Sequence, residues 1–174
     1  MTRAALIDEV LPRCDVRLRH AALFRVPADE AFRTALGLDV LRHPLVRALV
    51  AARALPLGAT GPRTLRIADL TGPPFGWSVL AERPDTELVL ATLARPRRLG
   101  APPPAQPATR EEFAAFAAPG YVKIVLAVRA VSQCPAAAVL AVETRVAATD
   151  AASARRFRRY WRYRRALEIG RAHV

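Results

Sequence analysis

Lysine is nearly missing from this sequence. Lys123 is the only one, so the formal net charge of +12 is carried by arginine. Arginine in place of lysine, with abundant alanine and proline, fits a GC-rich coding sequence; the excess of positive over negative charge needs a separate reason. Such an excess attracts phosphates, nucleic acid or anionic lipid over long range. Cysteine is scarce too. Cys14 and Cys134 are far apart, which excludes a disulfide framework and any Cys-based metal spacing. His20, His43 and His173 are scattered, so neither a zinc site nor any other cofactor is expected. No apolar run reaches the ~18 residues a membrane span needs. Asp8 and Glu9 interrupt the apolar run after Arg3, so the N-terminus does not read as a signal peptide, and a cytoplasmic chain is expected. Aromatic residues make up only 6%. Alanine, leucine and valine must therefore fill the interior, and small side chains leave room for a cavity.

What is present is enough for one core. The chain has 174 residues, of which 52% are apolar, the size and composition of a single globular domain. Residues 15–26 alternate as a strand does. Val16, Leu18, His20, Ala22, Phe24 and Val26 share the face expected to look inward; Arg17, Arg19 and Arg25 lie on the other. Pro27 ends the ladder. Residues 28–37 carry acids in their first turn and end at Gly37, which predicts a helix. Residues 44–55 open with Pro44 and predict a second helix. Residues 64–70 fit either a strand or a single helical turn.

Residues 76–83 and 86–95 read as a hairpin across Pro84 and Asp85. Here Trp77, Val79 and Ala81 alternate with Ser78, Leu80 and Glu82, and Leu88, Leu90 and Thr92 with Glu87, Val89 and Ala91. Residues 96–109 are rich in proline and predict a long exposed loop. A short helix over 110–118 leads to Pro119 and Gly120. Residues 121–132 and 138–148 form the strongest strand pair, with the turn at 133–137. Val122, Ile124, Leu126 and Val128 oppose Lys123 and Arg129; Leu140, Val142, Thr144 and Val146 oppose Glu143 and Arg145. Thr149 or Asp150 then caps a helix over 151–167 by accepting from its free N–H groups. Phe157 and Trp161 recur on it at helical spacing, and arginines occupy 155, 156, 158, 159, 162, 164 and 165.

This order is that of the helix-grip fold, an α+β arrangement in which a curved antiparallel sheet wraps a long C-terminal helix. The residues add a resemblance. Asp15-Val16-Arg17, Arg19-His20-Ala21, Phe113-Ala114-Ala115-Phe116 with Pro119-Gly120-Tyr121, Glu143-Thr144-Arg145-Val146 with Ala148-Thr149-Asp150, and Arg159-Tyr160-Trp161-Arg162 resemble a bacterial branch of the SRPBCC superfamily. That superfamily includes START-like lipid-transfer domains and polyketide cyclase/dehydrase relatives. The likeness runs over most of residues 10–166, with five or six strands in place of the usual seven. It implies a hydrophobic-ligand cavity between the sheet and the last helix, and no particular reaction.

The expected function is binding of a small hydrophobic molecule. His20, Trp77, Thr92 and Thr144 are the polar or aromatic residues on the predicted inward faces, and they are the candidate ligand-binding residues. Each also has an ordinary reading as core or rim. His20 is the one candidate general base for an alternative cyclase-type reaction, although no inward carboxylate is evident to orient it. Glu143 is expected on the outer face beside Arg145, in reach of Arg129 or Lys123, as a surface pair. The arginines of the last helix suggest an anionic membrane or phosphate backbone as a further partner; nothing resembles a motif that reads nucleic-acid sequence.

Residues 168–174, Glu-Ile-Gly-Arg-Ala-His-Val, match the translation of a short-read sequencing adapter, AGATCGGAAGAGCACACGTCTGA, in the frame that begins GAG and ends at its stop codon. A single domain over residues 1–167 followed by a non-native tail is the expected organisation, and Arg171 and His173 carry no functional weight.

Overall fold

The computed structural model describes residues 4–39, 64–71, 75–95, 105–155 and 157–158. These form an α+β unit around one five-stranded antiparallel sheet, curved and open, in the order β1-β5-β4-β3-β2. The strands are β1 (Val16–Phe24), β2 (Ser78–Arg83), β3 (Glu87–Ala94), β4 (Val122–Cys134) and β5 (Ala137–Ala148). Among the described residues the helices α1 (Leu6–Val10), α2 (Ala28–Gly37) and α3 (Arg110–Ala115) accompany them, and a further helix opens at Ala151.

The helix α2 has the bounds that its acidic start and Gly37 predict. Residues 64–70 resolve in favour of a helical turn: Arg66 makes an isolated bridge to Asp39, and Ile67–Thr71 is 3-10 helix. The β2–β3 hairpin turns where expected, and Asp85 takes a positive φ of 55°. Pro84 before it and the bond from Thr86 N–H to the Arg83 carbonyl complete a tight turn. The pair β4–β5 is longer than predicted, since the strands run to Cys134 and from Ala137 and leave only Pro135 and Ala136 to turn the chain. Conversely, α3 stops at Ala115. The predicted helix over 44–55 and most of the loop over 96–109 lie outside the described residues.

Both faces of the sheet carry a core, and this corrects the expectation of one inward and one solvent face. On the even-numbered face, Phe32 and Ala35 of α2 and Ile67 pack on Leu88, Leu90, Val128 and Ala130. On the odd-numbered face, Leu6, Ile7, Val10 and Leu11 pack with Phe113 on Val89, Ala91, Leu93, Val125 and Ala127. A strand covered on both sides is apolar at consecutive positions, and β3 is buried from Glu87 to Leu93 without a break. The sequence offers a sign of α1 in Leu6, Ile7, Val10 and Leu11, whose spacing puts them on one helical face.

The strict alternation predicted for residues 76–83 also fails. The register slips between Val79 and Ala81, so Leu80 is an extra residue in β2. Leu80 and Ala81 consequently both pack on the odd-face core.

Candidate functional site

The register lines up the even face in rows. One row runs Thr92, Ile124, Val146, Val16; the next Leu90, Leu126, Thr144, Leu18; the third Leu88, Val128, Val142, His20. Trp77 packs on the core of this same face. The four residues singled out from sequence, His20, Trp77, Thr92 and Thr144, are thus brought to one side of the sheet.

Their surroundings differ. Thr92 is buried, and its hydroxyl donates to the Gln106 side-chain oxygen at 3.1 Å. That same oxygen accepts from Leu93 N–H at 2.8 Å, while the Gln106 amide donates to the Leu93 carbonyl at 3.3 Å. Gln106 thereby takes the place of a strand residue beside β3. Thr144 and Trp77 are half-buried. Around Thr144 stand Leu18, Ile124, Leu126 and Val142, also half-buried, because α2 packs toward Val128 and Ala130. These side chains make a continuous apolar floor with one central hydroxyl.

His20 departs from expectation. It is exposed, as are Ala22 and Phe24 on the same face of β1. The parity reading was correct, but β1 is an edge strand and only its first residues, Val16 and Leu18, are partly covered. Exposure takes from His20 the desolvated setting and fixed partner that a general base of a cyclase-type reaction would use.

Glu143 and Arg145 are a second correction. Expected at the surface, they are buried beneath α1. Three nitrogens of the Arg145 guanidinium donate separately: Nε to Glu143 at 2.6 Å, Nη1 to the Leu11 carbonyl at 2.8 Å, and Nη2 to Asp8. Arg17 donates to the other Glu143 oxygen at 3.0 Å. Burial pushes the Glu143 carboxyl up, but the bonds from Arg17 and Arg145 outweigh it and hold it below its ordinary range. Burial likewise lowers the Arg145 pKa, and Asp8 and Glu143 more than restore it. Of the two partners expected for Glu143, Arg129 lies instead 3.8 Å from Glu87, and Lys123 donates to the Ala114 carbonyl. Glu87 accepts from Leu6 N–H at the start of α1 and from Arg83, both at 2.8 Å. Held below its ordinary range, the Glu143 carboxyl is a poor proton donor, and the bonds of this set fasten α1 to the sheet.

Tyr121 is buried in the odd-face core. Its ring meets Phe116 edge-on at 5.1 Å, and the Arg95 guanidinium lies 4.3 Å above it. The last helix begins as predicted. Asp150 accepts from Ser153 N–H and hydroxyl, both at 2.8 Å, and from Gly120 N–H at 2.6 Å. Thr149 makes a double bond pattern with the Tyr121 backbone, accepting from its N–H and donating to its carbonyl. Arg155 and Arg158 are exposed; the remaining arginines of the predicted helix, Trp161 and residues 168–174 lie outside the described residues.

Among the described residues no group of three or more His, Cys, Asp or Glu is placed to hold a metal ion, and no helix is long and apolar enough to cross a membrane. Comparison of the chain with protein-family models, curated proteins and solved structures gave no match.

Proposed function

We propose that this chain binds a small hydrophobic molecule against the even face of its sheet, with the helix that opens at Asp150 as the cover. On this reading it is a helix-grip protein of the SRPBCC kind that its sequence motifs resemble. The observation that carries the proposal is the half-buried floor of Leu18, Ile124, Leu126 and Val142 around Thr144. Apolar walls supply affinity for an apolar ligand, and one hydroxyl orients its polar end. Two features of topology support the cover. The first strand pairs with the last, and α2 follows the first strand directly, as a helix-grip arrangement would require. The helix start is also pinned to the beginning of β4 by Asp150 and Thr149. From β4 to β1 the floor spans two strand spacings, about 10 Å, which suits a small molecule.

The test is native mass spectrometry after mild purification, together with titration of the full chain by 1-anilinonaphthalene-8-sulfonate and by medium-chain fatty acids. Added mass, and saturable binding that Thr144→Phe reduces about tenfold or more, is the expected result. No added mass and no saturable binding of either probe would overturn the proposal.

A further inference from the structure

The two edges of the sheet are built differently. β2 is short, with six residues; it is bulged at Leu80 and runs straight into Pro84. Past its end, the Gln106 side chain occupies the exposed backbone of Leu93. Shortness, a bulge, a proline and a covering side chain are the usual means of keeping a sheet edge from pairing with another chain. β1 is neither short nor bulged, and its proline, Pro27, lies three residues past its end. It holds nine residues in unbroken register with β5, with no proline between Val16 and Phe24. Among the described residues nothing pairs with its outer side. It also carries Leu23, 64% exposed, and Phe24, 43% exposed, two of the exposed large apolar side chains of the described residues.

We infer that β1 is the interface of a two-fold homodimer, in which the β1 strands of two copies pair antiparallel about His20 and join the two sheets into one. A second copy fits because the strand is complementary to itself in that register. Residues whose N–H and C=O point away from β5 share one parity, so only registers that pair like parity can bond. Centred on His20, Val16 meets Phe24, Arg17 meets Leu23, Leu18 meets Ala22, and Arg19 meets Ala21. No two arginines oppose each other, and all nine residues pair. Neighbouring registers do not have this property. Centring on Arg19 sets Arg19 against itself; centring on Ala21 sets Arg17 against Arg25. Centring on Leu18 or Ala22 sets Arg17 against Arg19 or Arg19 against Arg25. Like charges directly across a strand pair are unfavourable, which counts against the Arg19 and Leu18 registers; the Ala21 and Ala22 registers meet Arg25 just past the end of the strand and pair fewer residues than the His20 register. Arg17 is suited to cover Leu23 of the second copy, because Glu143 already holds its guanidinium at 2.7 Å while its stem stays free to pack.

The experiment is sedimentation velocity on the full chain across a concentration series, with four substitutions in β1. The expected result is a dimer for the wild type. Ala21→Arg, which sets arginine against Arg19 twice by symmetry, weakens it about tenfold or more. Ala21→Glu, which sets a carboxylate there, keeps or tightens it. In a Cys134→Ser background, His20→Cys cross-links copies on mild oxidation and Leu18→Cys does not, since only position 20 meets itself. A wild type that is monomeric at every concentration overturns the inference. So does a dimer that Ala21→Arg leaves intact, or one that cross-links through position 18 in preference to 20, because another surface or register would then join the copies.

Discussion

Arg145 occupies a position that a core residue would ordinarily fill. Its side chain is 3% exposed, yet each of its donating nitrogens has a separate acceptor on Glu143, Leu11 or Asp8. A buried charge is tolerated only with such partners, and removing one partner costs more than the pair contributes. Lysine cannot replace it, because a single ammonium on a different stem cannot reach three acceptors in a fixed fork. Arg145→Lys is therefore expected to lower stability by about 2–4 kcal/mol in urea unfolding, with α1 losing its attachment first. Strand parity correctly put Glu143 and Arg145 together on the odd face. It could not say that α1 covers that face, because burial there depends on Leu6, Ile7 and Leu11, more than a hundred residues away in sequence.

At the scale of elements, the junction between β5 and the last helix is the best determined. Asp150 caps the helix and ties it to Gly120, and these bonds hold its pKa down to about 2, from an ordinary 3.8. The largest cause is the Gly120 N–H, followed by the Ser153 N–H and hydroxyl. A carboxyl whose folded pKa is depressed stabilises the fold above its unfolded pKa and loses that contribution as pH falls through the folded one. Stability should thus decline from about pH 4 towards pH 2. Asp150→Asn should be less stable than the wild type at pH 6 and show a shallower decline across that window, as followed by urea midpoints at each pH. A cap at Thr149 or Asp150 is legible in the sequence because capping is local, and the bond from Ser153 N–H, three positions on, settles it on Asp150. The bulge in β2 is not legible in this way. It is settled by which side chains the odd-face core takes up, and alternation alone predicts a regular strand there.

At the scale of the molecule, one sheet serves two cores. Ile7 is buried on the odd face and Ile67 on the even. Each Ile→Val change should cost about 0.5–1.5 kcal/mol. Because the two sites share no partner across the sheet, the double variant should lose the sum to within about 0.5 kcal/mol. Because both cores rest on the same strands, circular dichroism and tryptophan fluorescence should report a single coincident transition.

The sequence by itself determined the strands, α2, the hairpin at Pro84 and Asp85, a cap at Thr149 or Asp150 and the shared face of His20, Trp77, Thr92 and Thr144. All of these follow from alternation, dihedral preference or hydrogen bonds between near neighbours. Tertiary structure alone decided that both faces are covered, that Glu143 and Arg145 lie inside, and that His20 lies outside. The physical reason is that burial depends on what packs against a face. Parity gives the direction of a side chain, whereas the edge position of β1 and the reach of α1 and α2 decide whether that direction leads to core or to water.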